Sequence, residues 1–172
     1  MKKVIVLLLA AILLLAGCGQ EPETEAKTEP TREAVKPMVS MYDLRTAMTA
    51  AQPGLPDMTS VSSSDENAEG LFAYLSDLSY DKVEGFFLTY SSDGKTANEI
   101  AVICLKDPAD LPALEASLKA HIKGRVDLYK TYAPDQVEQA SAAEVVTQGR
   151  YMALIMCSDR AAVKAAFVSG VQ

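Results

Sequence analysis

Histidine occurs once in 172 residues, cysteine three times and tryptophan not at all. The lone histidine, His121, excludes a His-rich metal site and any catalytic set built on several imidazoles. No C-x-x-C, EF-hand spacing, Gly-rich phosphate loop or G-x-S-x-G turn occurs. The motifs therefore imply no cofactor, no metal and no catalytic residue. Basic residues are also few, 16 Lys and Arg against 23 Asp and Glu, for a formal net charge of −7. So acidic a chain is poorly suited to neutralising phosphates, and nucleic acid is not expected as a partner. Long apolar runs are lacking too. A bilayer-spanning helix needs roughly 20 residues, and the longest run, Val4 to Leu15, falls well short.

That run follows Lys2 and Lys3 and ends in small residues, the pattern of a cleaved export signal. Its end, Leu15-Ala16-Gly17-Cys18, matches the lipobox of bacterial lipoproteins. In that motif the cysteine thiol takes a diacylglyceryl thioether and the signal is cut just before it. Cleavage is thus expected between Gly17 and Cys18, with Cys18 as the lipid attachment site and first residue of the mature chain. Losing Lys2 and Lys3 with the signal leaves 14 basic residues against 23 acidic ones. No polybasic patch offers a second membrane signal, so the acyl chains must hold the protein, at about 0.8 kcal/mol per buried CH₂.

Residues 19–37, GQEPETEAKTEPTREAVKP, hold five Glu, three basic residues and three Pro, and Val35 is their one larger aliphatic. Such a stretch buries too little apolar surface to offset its ordering entropy, and with Cys18 it reads as a disordered spacer, 18–37. As a coil its ends would stand roughly 25 Å apart.

Residues 38–172 suit one domain. Ser40 and Asp43 form an S-x-x-D capping pattern ahead of Met41, Leu44, Met48 and Ala51 at helical spacing, and Pro53-Gly54 ends that helix. A short strand over 58–61 and a second amphipathic helix with Ala68, Leu71, Phe72 and Leu75 follow. VEGFFLTY (83–90) and NEIAVICLK (98–106) read as strands, and Asp93-Gly94 between them predicts a hairpin. Asp107-Pro108 starts a long helix over 108–132, with Leu111, Leu114, Leu118, Ile122, Val126 and Tyr129 on its apolar face. Gly124 weakens its middle, and Pro134 ends it. A short helix over 134–142 precedes a second hairpin, EVVT with YMALIMC, turning at Gln148-Gly149. Ser158 is expected to cap a last helix carrying Ala162, Val163, Ala166 and Phe167. The fold class expected is α+β, a mostly antiparallel sheet of two hairpins with helices on one face.

Candidate chemistry is thin. His121, beside Leu118 and Ile122, reads as a partly exposed helix residue. Cys104 and Cys157 lie in apolar strand flanks, as buried cysteines commonly do, and a disulfide between them stays open. SYDK (79–82) has S-x-x-K spacing and KTA at Lys95 approaches K-T-G. The pieces sit too close together, however, and Ser79 falls in a turn rather than at a helix start. SSDENAE (63–69) is read as helix capping and a solvated surface, and Tyr129 and Tyr132 as closure of the core.

NEIAVICLKD (98–107), YKTYAPDQ (129–136) and QGRYMALIMCSD (148–159) resemble an uncharacterised family of small lipoproteins from Gram-positive anaerobes. Its members carry a domain of unknown function, with a D/N-E-I-A strand, a K-D step, a Tyr-x-Pro step and a G-x-Y strand. The likeness runs from about Met41 to Phe167 and brings no ligand or catalytic residue with it. The expectation is a lipoprotein of the cell envelope, anchored by acylated Cys18 in the outer leaflet of the bacterial cell membrane. Its domain would be a non-catalytic one that binds an envelope protein or a cell-wall component. The alternatives are a small cell-envelope hydrolase or transferase, or a solute-capture lipoprotein.

Overall fold

The computed structural model describes residues 37–172. The signal, the lipobox with Gly17 and Cys18, and the spacer up to residue 36 lie outside the described residues.

Ser40 caps α1 (Met41–Ala50) as its spacing predicts, its Oγ accepting a hydrogen bond from the Asp43 amide at 3.2 Å. The helix buries Met41, Leu44 and Met48. Gln52, buried just past its end, donates to Ser158 Oγ at 2.9 Å and accepts from the Asp159 amide at 2.6 Å. This side chain ties the first turn of the domain to the start of its last helix. β1 (Met58–Ser62) follows, then α2 (Ala68–Leu75) and a 3-10 turn at Tyr80–Lys82 leading into β2 (Val83–Ser91). β2 and β3 (Glu99–Leu105) pair antiparallel, with Phe87 opposite Val102 and Leu88 opposite Ala101.

Asp107 caps the next turn, its Oδ1 accepting from the Ala109 amide at 2.9 Å with Pro108 in the first position. After this 3-10 turn, α3 (Leu111–Tyr132) crosses the sheet, and α4 (Val137–Ser141) leads to the far edge. There β4 (Glu144–Gln148) and β5 (Tyr151–Met156) form the second hairpin. Its two-residue turn needs Gly149, whose φ of +58° is costly for a residue with a Cβ. The chain closes with α5 (Arg160–Gly170). Its cap is Asp159, accepting from the Ala162 amide at 3.1 Å, not Ser158 as expected. Ser158 is already engaged by Gln52.

The sheet order is β1-β2-β3-β5-β4 with every neighbouring pair antiparallel. The fold is α+β, as the pattern of elements implies. The expectation of helices on one face needs correction, because they cover both. On one face Phe72, Leu114, Leu118 and Tyr129 from α2 and α3 pack over Phe86, Leu88, Ala101, Ile103 and Leu154. On the other, Met41, Leu44 and Met48 of α1 and Val163 and Phe167 of α5 pack over Phe87, Val102, Cys104 and Ala153. The cause is visible in the strands: every residue of β3 and of β5 is buried. A strand wetted on one side alternates apolar with polar residues, whereas EIAVICL and YMALIM are almost continuously apolar and require cover on both sides.

Candidate functional site

Glu99 breaks that apolar continuity. It is the first residue of β3, between Tyr90 of β2 and Met156 of β5, and its side chain is 0% exposed. A buried carboxylate is costly unless it is paired and hydrogen-bonded, and α3 supplies the partners. Strand β3 ends where α3 begins, so the returning helix brings its C-terminal half back over Glu99. His121, Arg125 and Tyr129 recur every four residues along one line of that helix.

Oε1 of Glu99 lies 2.6 Å from His121 Nε2, and Oε2 lies 3.4 Å from Arg125 Nε. The second contact is an ion pair without hydrogen-bond geometry, since both atoms are buried with no hydrogen-bond partner among the described residues. The His121 and Arg125 side chains are only 10% and 13% exposed.

Arg125 spends its other nitrogens on tyrosines. Nη2 donates to Tyr129 Oη at 2.6 Å and Nη1 to Tyr74 Oη at 3.2 Å. Its guanidinium lies 4.9 Å from the Tyr129 ring centroid, a cation–π distance. Tyr129 Oη donates to the Thr96 carbonyl at 2.9 Å, and burial pushes this phenol up, with the Glu99 charge adding and Arg125 opposing. The Tyr74 ring stands edge-on to His121, centroids 5.9 Å apart.

The connection between β2 and β3 is fastened to the same end of the molecule. The Ala97 amide donates to Gln136 Oε1 at 3.0 Å, and Gln139 Nε2 donates to Asn98 Oδ1 at 3.2 Å. The cluster thus locks α2, the first hairpin and α3 together.

His121 keeps a little of the exposure expected from its neighbours, but it is pinned to a buried carboxylate that they did not reveal. The expected apolar face of α3 packs in or against the core, Leu114, Leu118 and Tyr129 within it and Leu111, Ile122 and Val126 at its rim, and Arg125 lies beside that face toward Glu99. Tyr129 closes the core as expected, whereas Tyr132 is 79% exposed. Glu99, Arg125 and Tyr74 escaped the sequence reading. The signal for Glu99 was there, as the one charge inside an apolar strand.

The other candidates fall away chemically. Cys104 and Cys157 are buried free thiols. Cys104 faces Tyr151 at one end of the β3–β5 ladder, while Glu99 faces Met156 at the other. That offset of about six residues is roughly 20 Å, far beyond the reach of a disulfide. Burial pushes both thiols up, Cys157 to about 11, so neither is a ready nucleophile. Lys82 of the S-x-x-K spacing pairs with Asp110 at 2.6 Å, and that hydrogen bond raises its pKa, the opposite of what a base requires. Among the described residues no three His, Cys, Asp or Glu side chains gather as metal ligands. No described helix is long and apolar enough to cross a membrane.

The fold and its ionic cluster define an α+β domain with a five-stranded antiparallel sheet pinned at one end by a buried acid. The chain belongs to the family described as Domain of unknown function (DUF4358), matched over residues 57–157. The match spans the whole sheet, α2 to α4 and every member of the cluster, and leaves α1 and α5 outside it. No curated protein and no solved structure matches the chain.

Proposed function

We propose that the protein is a lipid-anchored lipoprotein of the bacterial cell envelope. Its domain binds a wall component or envelope protein and performs no catalysis. Residues 1–17 direct export and are removed, Cys18 carries the diacylglyceryl group in the outer leaflet, and residues 19–37 hold the domain off the surface. The observation that carries this reading is the sequence Leu15-Ala16-Gly17-Cys18 at the end of a short apolar run behind Lys2 and Lys3. A thiol is the group through which the lipid is joined, and small residues before it admit the peptidase. The non-catalytic part is supported by the state of the reactive groups. The one histidine is held by Glu99 under Tyr74, and the two domain thiols are buried.

The test is Cys18→Ala in cells, read by membrane fractionation and by mass spectrometry of the N-terminal peptide. The variant should leave the membrane fraction with its domain folded. A variant that still sediments with washed membranes and still carries diacylglyceryl would refute the anchor. In-cell crosslinking of the wild-type protein then identifies what the domain holds.

One observation favours the enzyme alternative: a histidine oriented by a carboxylate at 2.6 Å is also how a general base is held. It is the weaker reading because no Ser, Thr or Cys side chain is bonded to His121 among the described residues.

A further inference from the structure

On the sheet face covered by α1 and α5, the edge strand β1 is left partly bare. A groove of about 390 Å³ runs between it and α1. It is lined by serine hydroxyls, Ser60, Ser63 and Ser64 among them, and by Tyr42 and Arg45, with the buried Phe87 beneath. Tyr42 is 67% exposed. Asp65 also lines the groove, but its Oδ2 accepts from both the amide and the hydroxyl of Ser62, so that charge is held in the turn.

Arg45 is the unusual member. Every other lysine and arginine among the described residues reaches a carboxylate or a backbone carbonyl. The Arg45 guanidinium lies 5.1 Å from the Tyr42 ring centroid, and among the described residues it contacts no acid. In a chain this acidic, a half-buried arginine that lines a groove and has no carboxylate among the described residues can pair with one negative charge.

We infer that this groove binds a carboxylate-bearing saccharide, which names a wall ligand for the binding domain proposed above and rests on that reading. A guanidinium fork matches a carboxylate with two parallel hydrogen bonds. Serine hydroxyls both donate and accept, as sugar hydroxyls do; those of Ser60, Ser62, Ser63 and Ser64 bond to one another, to Thr89 or to the Phe86 backbone and keep acceptor capacity beyond those bonds. The exposed Tyr42 ring offers flat apolar surface for the C–H face of a pyranose. The charge count decides against a phosphate polymer. Among the described residues Arg45 is the one cation without a carboxylate or carbonyl partner, and it pairs with one carboxylate, while repeated phosphates would face an acidic domain through that contact.

The test uses the full chain in detergent micelles and isothermal titration with three probes. These are a tetrasaccharide of alternating N-acetylglucosamine and N-acetylmuramic acid, the same chain with its carboxyls converted to amides, and inorganic phosphate. The acidic tetrasaccharide should bind at least about tenfold more tightly than its amide, since an ionic hydrogen bond is worth that much. Arg45→Gln should weaken the acid to the level of the amide without changing the amide. Tyr42→Ala should weaken both, and circular dichroism checks that the variants fold. Equal binding of acid and amide, no effect of Arg45→Gln, phosphate binding as tight as the saccharide, or no binding at millimolar probe would each overturn the assignment. Failure here with Cys18-dependent anchoring intact would leave the anchored-binding reading standing. Loss of that anchoring would sink the reading and leave the titration unaffected.

Discussion

Glu99 on β3 and His121 on α3 meet at 2.6 Å in the seam between sheet and helix, with Arg125 on the far side of the carboxylate at 3.4 Å. Three ionisable groups thus occupy a place that apolar side chains would fill without cost. The arrangement is stable only as a set, because each member compensates the desolvation of another.

Removing one member should accordingly cost more than removing all. Glu99→Ala leaves Arg125 buried beside two tyrosines and should destabilise the domain by about 3–5 kcal/mol. Glu99→Gln keeps an acceptor for His121 and should cost less. Replacing Glu99, His121 and Arg125 together by Leu, Phe and Met should recover most of the loss, read by urea denaturation. A triple variant less stable than Glu99→Ala would show that the cluster adds net stability as a unit.

Much of the fold is legible in the residues, and the exceptions have causes. Ser40, Asp107, Asp93-Gly94 and Gly149 act through local geometry, so their turns and caps follow from a few neighbouring positions. That helices cover both faces was written in EIAVICL and YMALIM, but periodicity tells only whether a strand is buried, not which helix buries it. The ionic cluster was harder to read. Tyr74, Glu99 and Arg125 are far apart in sequence, and the crossing of α3 over β3 alone brings them together. The apolar face of α3 follows from its spacing, but the burial of Arg125 beside it has the same origin as the cluster: propensity does not anticipate a buried partner 26 residues away.

The two domain thiols should be chemically silent in the native state. Thiolate is the reactive species, and burial holds Cys157 near 11 and Cys104 above its ordinary value, so almost none is present at pH 8. With Cys18→Ala as background, iodoacetamide should label neither until urea unfolds the domain, and then both. Rapid labelling of native protein at either position would contradict this burial.

On the solvent side of α3, Asp127 accepts from Lys123 at 2.6 Å and from Lys130 at 2.9 Å. These hydrogen bonds lower its carboxyl to about 2. A depressed carboxyl contributes stability above its unfolded pKa and loses it as pH falls through the folded value, so the window lies between about pH 4 and 2. The group is exposed, so the effect should be small and should weaken in salt. Carboxyl NMR should place the Asp127 titration below those of the unpaired surface acids, and Asp127→Asn should flatten the acid limb of stability slightly. A carboxyl titrating at the ordinary aspartate value would mean that neither lysine holds it in solution.

The catalytic alternative turns on His121. If the histidine serves only to satisfy Glu99, what matters is a donor at Nε2, not a proton that moves. His121→Gln, which retains an amide donor, should then preserve both fold and cellular role. His121→Ala should lose stability, about 1–3 kcal/mol for the hydrogen bond taken from a buried carboxylate, yet keep its role wherever the chain stays folded and anchored. Ser79→Ala should change neither. The measurements are thermal unfolding, membrane fractionation and complementation of a gene deletion by each variant. A general base would give another pattern: both His121→Gln and His121→Ala would fail to complement despite normal folding and anchoring, since glutamine cannot take up a proton. That result would move the enzyme reading ahead of the binding one. It would also make Glu99 a positioning residue for His121, tested by whether Glu99→Gln shifts the pH profile of whatever activity is found.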